Sequence, residues 1–394
     1  MIKSFHPPLR TLMGPGPSDV NPRVTTAMGA ATIGHLDPEF VRLMDEVKLL
    51  LQFAFKTRNR ATIPISAPGS AGMEACFVNL VEPGDKIIVC QNGVFGGRMK
   101  ENVERCGATA IMVQDAWGAP VDPNKVEEAL QANPDSKMLA FVHAETSTGA
   151  CSDVRLLTSL AHKFGCLSLV DSVTGLAGVE LDVDGWEVDA IYSGTQKCLS
   201  SPPGLSPISF GPRAVETIKN RKTKVQSWFL DMQLMMAYWD GDASRTYHHT
   251  APVNNMYGLH EALVILQEEG LEQSWERHAL NHLALAAGVE AMGLQFVVSK
   301  EARLPQLNSI TVPAGIKEAA VRARLLEDFN LEIGAGLGTL AGKVWRIGLM
   351  GHGSNKTNVL RCLGALDAVL SDMKAPIHGG QAVSAALAVY RQHQ

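Results

Sequence analysis

Over the first 210 or so positions, short apolar runs rich in β-branched residues alternate with stretches whose apolar positions recur with helical spacing. The runs predict strands over 62–66, 86–90, 109–113, 138–142, 167–171, 189–193 and 207–210, each bounded by turn residues. The amphipathic stretches 71–81, 98–106, 123–132 and 155–164 predict helices between them. Unbroken apolar strands separated by helices imply an α/β fold with a mostly parallel seven-stranded sheet covered on both faces. Ligands of such sheets sit outside the carboxyl ends of the strands, and Ser66, His143, Asp171 and Ser193 fall at or just past those ends.

Beyond position 210 the pattern changes. A polar region over 220–227 and the segment 241–252 lead into one long helical stretch from about 253 to about 292. A smaller α/β unit follows, with strands near 307–312 and 343–349 and helices near 318–329 and 357–373. A boundary inside the long helix divides the chain into an arm over 1–20, a large unit over 21–275 and a small C-terminal unit over 276–394. Residues 379–394, after Pro376, read as a separate tail, and no internal repeat is present.

Composition narrows the partners. With 394 residues, 46% hydrophobic, and a net charge of −5, the chain can bury a large core and is a poor match for nucleic acid. No stretch is long and apolar enough for a membrane helix, and the N-terminus lacks the apolar core of a signal peptide, so a cytoplasmic enzyme is expected. The seven cysteines form no CxxC pair and are odd in number, which suits reduced, buried thiols rather than disulfides or a zinc site.

Two strand-end residues then carry chemistry. Asp171 closes the run Leu-Ser-Leu-Val-Asp, and Lys197 follows 26 residues later (197 − 171) in Tyr-Ser-Gly-Thr-Gln-Lys-Cys-Leu. A lysine that forms a Schiff base and a carboxylate that holds a pyridine nitrogen protonated are what pyridoxal phosphate requires. Lysine is normally protonated, so a nucleophilic one needs burial or nearby positive charge. Ser193, Gly194 and Thr195 before it, with Ser-Ser-Pro-Pro-Gly (200–204) after it, predict a tight turn with room for a flat ring. The plainer reading of such a lysine is a solvated side chain.

Five further constellations each have a plain alternative. Ser-Ala-Pro-Gly-Ser-Ala-Gly-Met-Glu (66–74) sets small residues between a strand and a helix, so backbone N–H groups of Gly69 and Ser70 can hold a phosphate; a turn capped by Ser70 explains the run equally well. His-Ala-Glu-Thr-Ser-Thr-Gly (143–149) concentrates hydroxyls for the cofactor's phenolic oxygen, or forms a hydroxyl-bonded turn over His143. Phe95 stacks on a planar cofactor or belongs to the core. In Tyr-His-His-Thr-Ala-Pro (247–252) adjacent histidines are expected to point apart with no third ligand nearby, which argues against a metal and for phosphate or interface contacts from Tyr247 and Thr250. Arg346, inside an apolar strand, pairs with a substrate carboxylate or with a carboxylate of the protein.

Together with Met-Gly-Pro-Gly-Pro-Ser (13–18), Gly-His-Leu-Asp-Pro (34–38), Val-Asp-Ser-Val (170–173) and Gly-Lys-Val-Trp-Arg-Ile-Gly-Leu (342–349), these motifs in this order resemble the class V aminotransferases over about residues 11–373. The similarity is greatest to the alanine–glyoxylate and serine–pyruvate aminotransferases. The resemblance implies pyridoxal-phosphate fold type I, with Lys197 as Schiff-base lysine and proton shuttle, Asp171 on the pyridine nitrogen, and Thr146 on the ring hydroxyl. It puts Phe95 on the ring face, and Pro68, Gly69, Ser70 and Gln196 at the phosphate. Tyr247 and Thr250 reach the phosphate from the other subunit of a homodimer, Arg346 takes the substrate carboxylate, and the backbone near Gly16 closes the pocket. Two departures stand out: Pro68 replaces a Ser or Thr, and Phe95 replaces a ring that is often Trp.

The expected activity is therefore ping-pong transfer of an amino group from L-alanine or L-serine to glyoxylate or pyruvate, with amino and 2-oxo acids as the small-molecule partners. Serine–glyoxylate and aspartate–glyoxylate transfer are alternatives, since donors that differ by a few atoms are separated by only about 1–3 kcal/mol per small group. A lyase of the cysteine desulfurase type is disfavoured, because no cysteine occurs between Cys198 and Cys362 and the latter falls in a predicted helix. A non-catalytic binding protein would have no use for Lys197 and Asp171 together.

Overall fold

The structure, a computed structural model, describes residues 1–239 and 245–393; the start of the segment 241–252 and the last residue of the tail lie outside the described residues. The seven predicted strands form one sheet, in the order Ala61–Ile65, Ser206–Phe210, Ala190–Tyr192, Leu167–Asp171, Met138–Val142, Lys86–Gln91, Thr109–Gln114. Ser206–Phe210 runs antiparallel to both neighbours, and the other pairs are parallel. Every residue of Ala61–Ile65, Met138–Val142, Leu167–Asp171 and Ser206–Phe210 is buried, which is why these strands read as apolar runs without alternation. Register places Asp171 beside Val142 on one side and Tyr192 on the other, so one row of side chains ends three parallel strands.

The crossover helices start where the sequence offers caps. Asp37, Asp122 and Asp153 accept backbone N–H groups of Glu39, Asn124 and Leu156 at the starts of Pro38–Phe55, Pro123–Ala132 and Val154–Lys163. The helix expected over 98–106 begins earlier, at Val94, and runs through Gly96. A Cβ on Gly96 would lie 2.4 Å from the Cys90 carbonyl oxygen, so glycine here lets the helix press onto the strand end.

Two sequence expectations are corrected. The helical stretch 253–292 is two helices, Val253–Glu269 and Leu271–Ala291, separated by Gly270 at φ 89°, a conformation that breaks the hydrogen-bond ladder. The tail is not separate: Ala382–Gln392 is a helix packed on Leu271–Ala291, with Ala382, Ala386 and Tyr390 buried at one-turn intervals. Tyr390 donates from its hydroxyl to Asn281 Oδ1 at 2.6 Å.

Apolar side chains gather into two main clusters, one across the large sheet and one built from Met13 and residues between Ala284 and Tyr390. Thr11–Leu12 pairs in parallel with Leu331–Glu332, and Met13 accepts the Gly348 N–H at 2.7 Å, so the N-terminal segment is stitched to the second cluster. In the small antiparallel sheet of Leu307–Thr311, Val344–Gly348 and Gly334–Ala335, Arg346 lies between Ser309 and Gly334. No helix among the described residues is long and apolar enough to cross a membrane.

Candidate active site

Asp171 ends its strand fully enclosed, with two donors on its carboxylate: the Val173 N–H to Oδ1 at 2.9 Å and the Tyr192 hydroxyl to Oδ2 at 2.8 Å. Burial pushes this carboxyl up to about 6, against the pull of those two bonds and of Lys197 and Arg98.

Lys197 stands in the turn after Ala190–Tyr192. Its carbonyl accepts the Ser200 N–H at 3.1 Å and the Ser18 hydroxyl at 2.7 Å, while Thr195 accepts the Ser201 N–H at 3.1 Å. Its side chain is 9% exposed, and Nζ donates to the Pro15 carbonyl. Burial first, then the charge of Arg346, lowers its pKa to about 8, with Cys198 and Asp171 opposing. This is the direction a nucleophilic amine requires, and the solvated reading of the lysine fails. Gly16 covers the amine: at φ 97°, its missing Cβ would sit 2.5 Å from Lys197 Nζ.

The turn at the end of Ala61–Ile65 leads into the helix Gly69–Leu80, whose cap residue is Pro68 and which has no side-chain cap bond. Ser70 is therefore not the cap; it is an exposed residue of the first turn. The first N–H groups of that helix point outward with the positive end of its dipole, an anion site by construction. Gly69 is buried against Val173, with the Cγ2 of that residue 3.3 Å from where a Cβ would lie, so the anion site adjoins the Asp171 strand end. The Gln196 side-chain amide has its Oε1 buried with no partner among the described residues, and turned over it can offer the Nε2 donor to an anion there.

Thr146 is buried, its hydroxyl bonded to that of Thr174 and its carbonyl accepting Arg346 Nη1 at 3.0 Å. Arg346 also donates from Nε to the Ala335 carbonyl at 2.7 Å. Among the described residues no carboxylate lies within ion-pair distance of it, so the protein-carboxylate pairing is not made. Burial lowers its pKa to about 10, with the charge of Glu145 opposing. Phe95 is half-buried and carries the Arg98 guanidinium 4.8 Å above its ring.

The structure also brings in residues that the sequence reading passed over. Glu145 is wholly buried beside Gly93; Oε1 accepts the Ser147 N–H at 3.0 Å, Oε2 has no partner, and burial pushes its pKa up to about 7. Tyr192 escaped notice because a tyrosine at a strand end reads as core; only the paired register with Asp171 points to it.

Two predicted residues are not gathered in. Tyr247 is 58% exposed and Thr250 is also exposed, their hydroxyls 3.3 Å apart on the surface. Between them, His248 and His249 do not point apart: their Nδ1 atoms approach to 2.8 Å, and His249 Nε2 reaches Ser66 Oγ at 2.7 Å. Among the described residues no group of three or more His, Cys, Asp or Glu is placed to hold a metal ion.

A buried amine of lowered pKa, a buried carboxylate, an uncapped helix N-terminus beside them and an unpartnered amide fit pyridoxal phosphate. Comparison with known proteins points the same way. Residues 23–353 match the class-V aminotransferase family. The chain is 38% identical to a (S)-ureidoglycine–glyoxylate transaminase of Bacillus subtilis over 97% of this chain and 96% of that protein. A crystal structure of ureidoglycine–glyoxylate aminotransferase from Bacillus subtilis superposes with a TM-score of 0.96, covering 99% of this chain and 100% of that one. Alanine–glyoxylate aminotransferase of Oryctolagus cuniculus is 41% identical, with 91% of this chain and 92% of that protein covered. The structure of alanine–glyoxylate aminotransferase from a Nostoc species shares 44% identity at a TM-score of 0.92, over 94% of this chain and 97% of that one.

Proposed function

This chain belongs to the class-V aminotransferases, and we propose that it moves an amino group from a small amino acid, L-alanine or L-serine, to glyoxylate or pyruvate. The observation that carries this reading is the pairing of Lys197, pushed toward its neutral form, with a carboxylate at the neighbouring strand end and a buried guanidinium that no carboxylate among the described residues neutralises. Its cofactor is pyridoxal 5′-phosphate, which supplies an aldehyde for an amine to join and a ring that draws electrons from the substrate carbon.

The residues divide the work. Gly69 and Ser70 bind the phosphate through backbone N–H groups with Gln196 beside them, Pro68 shaping the turn without a donor of its own, and Thr146 bonds the ring hydroxyl while Phe95 covers the ring face. Asp171 holds the proton of the ring nitrogen opposite its own negative charge. Arg346 takes the substrate carboxylate, which fixes the side of the substrate on which the α-hydrogen faces Lys197. Lys197 Nζ would then be the base that takes this proton and the carrier that shuttles it, with the Pro15 carbonyl orienting the amine. Gly16 closes the pocket over Nζ and restricts it to small substrates.

Exposed Tyr247 and Thr250 support a homodimer in which each chain completes the phosphate site of the other. Free thiols on all seven cysteines suit the cytoplasm. Cys362, wholly buried in Lys356–Asp372 with its thiol pushed up to about 12, weighs against a desulfurase. Likeness to the Bacillus subtilis enzyme favours one further donor, ureidoglycine, with the same acceptor. The test is a donor panel of alanine, serine, aspartate and ureidoglycine against glyoxylate and pyruvate, followed by cofactor absorbance. Alanine or serine with glyoxylate should turn over fastest; a fastest rate with ureidoglycine would move the assignment, and no conversion with any donor would end it.

A further inference from the structure

We propose that Tyr192 is a positioning residue that keeps the Asp171 carboxylate ionised and aimed at the ring nitrogen. The inference rests on the Asp171 role given above. Tyr192 and Asp171 are register partners on adjacent parallel strands, so their side chains leave the same face of the sheet a strand spacing apart. The phenol is 0% exposed and donates to Oδ2 at 2.8 Å, while the Val173 N–H holds Oδ1 at 2.9 Å. One donor on each oxygen fixes the plane of the carboxylate and leaves a lone pair of each oxygen for the ring.

The other groups around the carboxylate cannot replace this bond. Lys197 favours the ionised acid only while it carries its own proton, which its chemistry requires it to release. Arg98, on Val94–Arg105, is exposed, so solvent and salt screen it. Glu145 adds like charge when ionised, and Cys76, on Gly69–Leu80, is a buried thiol held neutral. His143 gives only its backbone N–H, to the Asp171 carbonyl, and burial keeps its ring uncharged. The phenol itself is pushed well above its usual range by burial and by Asp171, so it remains a donor across the working pH range. That leaves Tyr192 and Val173 as the two donors that persist through turnover.

The test is Y192F, which removes one oxygen and keeps the ring, measured as holoenzyme from pH 5 to 9. The pH at which bound-cofactor absorbance changes and the acid limb of kcat/KM should both move up by about one unit, equivalent to about a tenfold loss at pH 5 that recovers by pH 9. Profiles that superpose on those of the parent would overturn the proposal. D171N separates the two readings: if it leaves spectrum and rate intact, the role of Asp171 is wrong, whereas loss in D171N without a shift in Y192F refutes only Tyr192. If Y192F gives no cooperative melt, 3-fluorotyrosine at position 192, a more acidic donor, should move both profiles down, and unchanged profiles would again refute the role.

Discussion

At the proposed ring-nitrogen end of the site, one chain supplies the enclosure: Asp171, the Tyr192 phenol and the covered amine of Lys197 are buried, and the second donor, Val173, is half-buried. At the proposed phosphate end, Pro68 offers no side-chain bond and Tyr247 and Thr250 stand in solvent, which leaves backbone N–H groups and one unpartnered amide as the grip we infer. The difference follows from what each task needs. A shifted pKa arises only where water is excluded, which requires the fold to enclose the group. An anion is held by a helix N-terminus at the surface, with further contacts added from outside.

The sharpest break between the two ends is Lys197→Ala, which should lower turnover at least about a thousandfold while the phosphate end still retains cofactor without a covalent link. Absorbance and single-turnover kinetics check this, and loss of cofactor binding would mean the ends are not separable. Next, the buried end should carry a pH-dependent cost. Glu145 holds its proton up to about 7 when folded and to 4.5 when unfolded, so the unfolded chain releases a proton first and stability falls as pH rises through that window. Glu145→Gln should therefore match the parent below pH 4.5 and exceed it by about 3 kcal/mol above pH 7. Urea melts of cofactor-free protein at both ends of the range decide it; an equal gap at both would contradict the burial argument.

Smaller effects belong to the exposed end. Tyr247→Phe or Thr250→Ala should weaken cofactor binding about tenfold and leave kcat at saturating cofactor unchanged. Equilibrium titration that finds no weakening would mean a single chain completes the phosphate site. Smallest, Pro68→Ser adds one hydroxyl at the helix cap and should tighten cofactor binding about threefold, again by titration.

Strands of the large sheet were legible because burial on both faces leaves short apolar runs bounded by turn residues, as at Met138–Val142 and Leu167–Asp171. The helix ends were less so: Gly96 hid the start of Val94–Arg105, and Gly270 split what periodicity joined. The Ala382–Gln392 helix was missed because the alanine-rich run Ala-Val-Ser-Ala-Ala-Leu-Ala-Val-Tyr has small apolar residues all round and shows no clear face until Leu271–Ala291 covers Ala382, Ala386 and Tyr390. Within the site, Lys197 and Asp171 stand out as charges at the ends of apolar runs, whereas Tyr192 and Glu145 differ from ordinary core or turn residues through neighbours far along the chain, Asp171 and Gly93.

Gly16 carries a consequence for how this sequence can diverge. A left-handed backbone at φ 97° and the Lys197 side chain packed against that position both oppose a side chain of even one methyl group. In a saturation library selected for growth on the transamination product, that codon should accept a single letter, while the exposed residues 1–9 drift freely.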